Sequence, residues 1–155
     1  MQRAIEIAER GRGKVQPNPL VGCVLVRDGK IIAEGWHGNI GGFHAEQAAI
    51  ADAEERGIAT IGSTAYVTLE PCNHHGRTPP CTEALLWAGV ERVVVGALDP
   101  NPTVRGGGLS ALRDVGLHVE NGLLEKECKD QMREFIHWCD CLLYTSPSPR
   151  DPSIS

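Results

Sequence analysis

Nowhere in the 155 residues does an apolar run approach the roughly 20 residues that a bilayer-spanning helix needs. The opening MQRAIEIAERGRG likewise has no unbroken apolar stretch of the kind a secretory signal carries. Both absences argue against a helical membrane protein and an exported one, so the expected location is cytoplasmic. Basic charge is in deficit: fifteen Lys and Arg stand against twenty Asp and Glu, a formal balance of −5. Without a broad basic face, neither nucleic acid nor an anionic membrane is the expected partner, and a small molecule is. Aromatics make up only 5% of the chain, and Trp36, Trp87 and Trp138 are too scattered to form a base-stacking platform. They are expected to fill core or interface. No internal repeat is visible.

What is present suits one compact domain with a substantial core, since 41% of the residues are hydrophobic and 23% charged. Six cysteines, at 23, 72, 81, 128, 139 and 141, would imply three disulfides only in a small secreted chain. In a reducing compartment Cys72 and Cys81, which flank a His-rich loop, are expected to bind metal. Cys23 and Cys128 fall on apolar periodicities and are expected in the core.

The pattern predicts an alternation of strands and helices. A short helix over residues 1–10 stops at Gly11 or Gly13. Two strands, from Leu20 to Val26 and from Ile31 to Ala33, flank Asp28-Gly29, a dipeptide that favours a tight hairpin. An Ala-rich helix follows His44 and ends before Gly57. A strand over Thr64 to Leu69, a helix over Cys81 to Ala88 and a strand over Arg92 to Leu98 have the lengths of a parallel crossover. A helix around Leu109 to Asp114 and a strand at Leu117 to Glu120 repeat the unit, and Gly106 to Gly108 reads as a flexible turn. The last helix runs from Leu123 to about Trp138. The expected architecture is α/β: one five-stranded mixed sheet with helices on both faces, in three α/β/α layers. Residues 143–155, rich in Ser and Pro, show no packing period and are set apart from the domain at 1–142 as an unstructured tail, expected to be non-native.

Three short pieces stand at the joints of this scheme: His44-Ala45-Glu46, Glu70-Pro71-Cys72 and Thr78-Pro79-Pro80-Cys81. One His and two Cys leave a fourth position open, as a catalytic zinc requires. Parallel strands deliver their following loops to one sheet edge, where Cys72 and Cys81 can meet His44. A helix start at Cys81 favours its thiolate form. Glu46, two residues from His44 on a helix, is not counted as a ligand; within the first turn it can reach a water and move its proton. This is the H-x-E and P-C signature of zinc deaminases, with eight residues between Cys72 and Cys81 where the signature has two.

The run Glu70 to Cys81, EPCNHHGRTPPC, together with Pro17-Asn18-Pro19-Leu20-Val21-Gly22-Cys23, His44-Ala45-Glu46 and Asp99-Pro100-Asn101-Pro102, closely resembles the deaminase domain of the riboflavin-pathway bifunctional deaminase-reductase. The likeness runs over residues 1–138. It implies a cytidine deaminase-like fold and hydrolysis of 2,5-diamino-6-(5-phosphoribosylamino)pyrimidin-4(3H)-one to the 5-aminouracil product and ammonia. It implies one catalytic zinc ion (Zn2+) on His44, Cys72 and Cys81, with Glu46 as proton shuttle. By the same likeness Asn18, His37, His74, Arg77 and Asn101 line the substrate. An amide such as Asn18 matches a pyrimidinone edge, and Arg77 and His74 suit a ribose phosphate. The family's reductase domain has no counterpart among residues 139–155, so no NADPH is expected; association into a homo-oligomer is in keeping with the family. Two other readings stay open: a nucleoside or tRNA-base zinc deaminase, against which the long Cys72 to Cys81 loop and acidic charge speak, and a catalytically silent zinc-stabilised scaffold, against which Glu46 speaks.

Overall fold

A computed structural model describes residues 1–12, 19–38, 43–71, 81–99 and 107–133. Helix α1 (Gln2–Ala8) continues as a 3-10 turn to Gly11 and leads to a hairpin of β1 (Gly22–Arg27) and β2 (Lys30–Trp36). Asp28 and Gly29 both take left-handed backbone, φ 54° and 75°, which matches the twist of a two-residue hairpin turn. Their register slips between Leu25 and Val26, a local irregularity that the residue pattern did not announce. Then come α2 (Ala45–Glu55), β3 (Thr64–Leu69), α3 (Cys81–Trp87), β4 (Arg92–Ala97), α4 (Gly107–Asp114), β5 (His118–Asn121) and α5 (Glu125–Gln131).

The five strands form one mixed sheet in the order β2-β1-β3-β4-β5. β1 is antiparallel to both β2 and β3, whereas β3–β4 and β4–β5 are parallel. It follows that β2, β3, β4 and β5 share one direction and β1 opposes them. Helices α2, α3 and α4 therefore all begin at the carboxyl edge of the sheet, the edge where open α/β sheets place their ligands.

Both faces are covered, as expected. On one, Ala45, Ala49 and Ala53 of α2 and Leu85 of α3 pack with Cys23, Leu25, Val67, Val93 and Val95. On the other, Ala4 and Ile7 of α1 meet Val24, and Cys128 and Met132 close over Leu69 and Ala97. Cys23 and Cys128 are fully buried, the core positions expected of them.

Several expectations need correction. The last helix starts at Glu125 and not Leu123, because Leu124 is left-handed at φ 52° and breaks the helical path; its expected extension toward Trp138 and the tail at 143–155 lie outside the described residues. Gly107 and Gly108 are the first turn of α4 and not a flexible loop. Trp87 is 71% exposed at the end of α3, so of core and interface, the two places expected for it, the core is excluded. Among the described residues no helix is long and apolar enough to cross a membrane.

Candidate active site

His44 is the residue immediately before α2 and has extended backbone, φ −69° and ψ 163°. Its N–H donates to Gln47 Oε1 at 3.1 Å, and its carbonyl accepts from the Ala48 N–H at 2.9 Å. Gln47 thus folds back from the first turn as in half of a capping box. The imidazole is turned toward α3, where Nδ1 lies 3.2 Å from Cys81 Sγ. Cys81 opens α3 and is fully buried.

Two ligands of a tetrahedral zinc, one imidazole nitrogen and one thiolate sulfur, stand about 3.6 Å apart. The observed pair needs only a small opening to accept the ion, so His44 and Cys81 fit it. Among the described residues no group of three His, Cys, Asp or Glu side chains is gathered; the third expected ligand, Cys72, lies outside them, as do Asn18, His74, Arg77 and Asn101.

Glu46 is the second residue of α2 and only 3% exposed. A carboxylate in a helix's first turn is favoured by the unpaired N–H groups there. It faces the sheet near Cys23: burial first, and the Glu46 charge second, push the Cys23 thiol well above its ordinary value. Cys23 thus stays a neutral thiol. The close seating of α2 depends on Gly35 of β2, where an added Cβ would stand 2.2 Å from Ala49 N and 2.4 Å from Ala45 O.

His37, just past β2, is buried and approaches the same pair. Its N–H donates to the Val21 carbonyl at 3.1 Å, and its Nδ1 lies 3.0 Å from the Phe43 carbonyl oxygen. A carbonyl can only accept, so Nδ1 carries a proton. The His37 and His44 rings meet edge to face, with centroids 5.6 Å apart and planes at 84°. Four expected site residues, His37, His44, Glu46 and Cys81, are therefore gathered at the carboxyl edge.

One buried group of this edge escaped sequence reasoning. Glu70, directly after β3 and 6% exposed, accepts from the Asp99 N–H at 3.1 Å through Oε1. Its Oε2 accepts from the Gly108 N–H at 2.9 Å and the Leu109 N–H at 3.3 Å. The only signal in the sequence was an acidic residue before Pro71-Cys72, and nothing in its spacing pointed to partners so far along the chain.

An imidazole and a thiol are thus presented to each other by two helix starts, with a buried carboxylate in the first turn of α2. Residues 1–97 match the family described as the cytidine and deoxycytidylate deaminase zinc-binding region, and the chain belongs to that family. Within it the chain belongs with the diaminohydroxyphosphoribosylamino-pyrimidine deaminases. The enzyme of that name from Buchnera aphidicola subsp. Acyrthosiphon pisum is 48% identical over 136 residues, which cover 88% of this chain and 90% of that one. The riboflavin biosynthesis protein RibD of Actinobacillus pleuropneumoniae is 51% identical over 138 residues, 89% of this chain but 36% of the relative. This chain thus spans about a third of the length of such relatives. Among solved structures, the diaminohydroxyphosphoribosylaminopyrimidine deaminase/5-amino-6-(5-phosphoribosylamino)uracil reductase of Thermotoga maritima superposes with a TM-score of 0.86 at 49% identity, over 90% of this chain and 40% of that one. The cytidine deaminase-like three-layer fold expected from the residues is the fold observed.

Proposed function

We propose that the chain hydrolyses the exocyclic amine of 2,5-diamino-6-(5-phosphoribosylamino)pyrimidin-4(3H)-one, giving 5-amino-6-(5-phosphoribosylamino)uracil and ammonia. The observation that carries this is the His44 Nδ1 to Cys81 Sγ approach of 3.2 Å, next to a carboxylate buried two residues beyond His44. The likeness to named deaminases of this substrate, one of them spanned over nine-tenths of its length, supports the choice of ring.

His44 and Cys81, with Cys72, would hold one zinc ion. When bound, that ion supplies the acidification of a water for attack on the ring carbon bearing the amine. Glu46 accepts the proton that the attacking water loses, and returns protons to the ring nitrogen and the departing amine. Its burial keeps bulk water from competing for that proton. His37, pinned through Nδ1, presents the rest of its ring to the same space, and Asn18 and Asn101 supply amides for the pyrimidinone edge. Arg77 and His74 supply donors for the ribose phosphate, which lets an acidic chain bind an anionic substrate. The location assigned with this function is cytoplasmic, and the assembly a homo-oligomer.

The test is ammonia release from the diaminopyrimidinone phosphoribosyl substrate by the zinc-loaded protein, with Glu46→Gln and cytidine run alongside. Turnover of the first compound, lost in the variant and absent with cytidine, is the expected result. A protein that binds one zinc yet releases ammonia from neither compound would overturn the proposal in favour of a silent scaffold.

A further inference from the structure

The peptide bond that leads into His44 is held on both sides. Its carbonyl, belonging to Phe43, accepts from the Nδ1–H of His37 at 3.0 Å, and its N–H, belonging to His44, donates to Gln47 Oε1 at 3.1 Å. A trans peptide unit is planar with these two groups pointing opposite ways, so the pair of bonds fixes its orientation. With φ at −69°, the direction in which the His44 side chain leaves the backbone follows. The two supports come from different elements. Gln47 belongs to α2 and travels with it. His37 is tied to the sheet: it is 6% exposed, and its N–H donates to the carbonyl of Val21, just ahead of β1, at 3.1 Å. The 3-10 turn also seats closely on it, since a Cβ at Gly11 would stand 2.2 Å from the His37 carbonyl oxygen. From this fixed place the His37 ring meets the His44 ring edge to face, with centroids 5.6 Å apart.

We propose that His37 is a positioning residue for the metal site: by donating its Nδ1–H to the Phe43 carbonyl it ties the 43–44 peptide to the sheet and so aims the His44 imidazole at Cys81. This rests on the reading above in which His44 and Cys81 bind zinc. The role is separate from any contact of the His37 ring with substrate, because it runs through the backbone entering His44 and is exerted with no substrate present. Without the donor the peptide loses this tie, and His44 Nδ1 is no longer kept 3.2 Å from Cys81 Sγ in advance of the ion. The cost of ordering the imidazole then falls on metal binding. Hydrogen bonds that orient a ligand from outside the coordination sphere are worth about 10- to 100-fold in metal affinity. A bond placed one peptide away from the imidazole belongs at the lower end of that range.

The test measures the zinc affinity of the full chain, without substrate, by competition with a chelator for wild type, His37→Phe, His37→Asn and His44→Ala. Phe keeps a ring edge beside His44 but has no donor, whereas Asn carries an amide N–H at the position of Nδ1 but no ring. His37→Phe is expected to raise the zinc Kd about tenfold, and His37→Asn to stay within about threefold of wild type. Rescue by Asn separates aim from packing, since the smaller side chain fills the buried ring site less well. Denaturant unfolding of the metal-free variants measures packing by itself. Should His37→Phe fail to fold, His37→Leu, equally without a donor, takes its place. NMR of isotope-labelled histidine needs no variant: in the wild-type chain, with or without zinc, His37 is expected to show a slowly exchanging Nδ1 proton coupled to the Phe43 carbonyl. An unchanged Kd in the variant without a donor, a His37→Asn chain as impaired as that variant, or a His37 ring with no protected Nδ1 proton would overturn the inference. A wild type that binds no zinc, or that binds it as tightly with His44→Ala, overturns the reading of the metal site instead.

Discussion

Glu46 and Glu70 stand on the same edge of the sheet, each buried and each beside the first turn of a helix, yet they are held in opposite ways. Glu70 takes backbone N–H groups from two distant stretches, so its negative charge is matched by fixed donors. A carboxylate engaged on both oxygens in this way serves as a joint between segments. Glu46 belongs to the helix whose start it occupies, two residues from a candidate metal ligand and with its charge acting on a neutral thiol. Burial and position at a helix start thus do not distinguish an acid that moves protons from one that joins segments; the partners do.

The comparison breaks most visibly in activity. Glu46→Gln is expected to lower kcat by about 10²- to 10⁴-fold, the usual worth of a positioned general acid-base. Zinc content should stay at one equivalent and the thermal midpoint should not fall, since the change removes a buried charge. Glu70→Gln should do the reverse, keeping kcat and lowering the midpoint. Ammonia-release kinetics paired with thermal melts check both, and a Glu46→Gln protein that melts earlier while retaining kcat would mean the two roles had been assigned the wrong way round.

Next in size is the metal. His44→Ala removes the imidazole that faces Cys81, and the zinc-dependent rise in stability should vanish with it. For the intact chain at a free zinc concentration a hundredfold above its Kd, that rise amounts to about 2.7 kcal/mol. Melts with and without chelator, alongside metal analysis, measure it. A variant still stabilised by zinc would show that the ion is held elsewhere.

The seating of α2 gives a smaller effect. Gly35→Ala would drive a Cβ onto backbone atoms of α2, 2.2 Å from Ala49 N. Backbone cannot rotate aside as a side chain can, so a cost of about 1–3 kcal/mol is expected, as in other overpacked cores. The same displacement carries Glu46 with it, so kcat should fall beyond what the stability loss explains. Denaturant unfolding with kinetics on the still-folded variant checks this, and an unchanged kcat would uncouple the helix seat from the chemistry.

The pairings that are local in sequence were the legible ones. Asp28-Gly29 announced its turn, the Ala45, Ala49 and Ala53 spacing announced the buried stripe of α2, and the motifs around His44 and Cys81 announced two helix starts that meet. What stayed hidden was created by close approach between distant segments. The glycines at 107 and 108 read as slack, whereas Gly108 is held against Pro71 and bonded to Glu70, 38 residues back. Leucine seldom takes left-handed backbone, so the pattern places the start of α5 two residues too early, at Leu123 instead of Glu125. Trp87, expected in core or interface, stays out of the core because α3 ends there with its buried side already supplied by Cys81, Thr82 and Leu85.

The smallest expected effect lies on the opposite face and tests how burial, away from the candidate site, shifts a group's titration. Cys128 of α5 is fully buried over Gly96, where a Cβ would come within 2.2 Å of its Sγ. Burial first and the Glu127 charge second push this thiol up to about 11, from an ordinary value of 9.0. Between those values the unfolded chain has released a proton that the folded chain still holds, so stability falls as pH rises through this interval. Cys128→Ala should therefore be less stable than wild type near neutrality, through the small cavity it leaves, but lose less of its remaining stability on going from pH 9 to 11. Cys23 contributes in the same direction on the site face, with the Glu46 charge adding to its burial. Glu46→Gln should accordingly soften the alkaline loss a little further and Glu70→Gln should not. Parallel alkaline slopes for all three variants and wild type would show that neither buried thiol governs this limb, and that Glu46 does not reach Cys23 as its place in α2 requires.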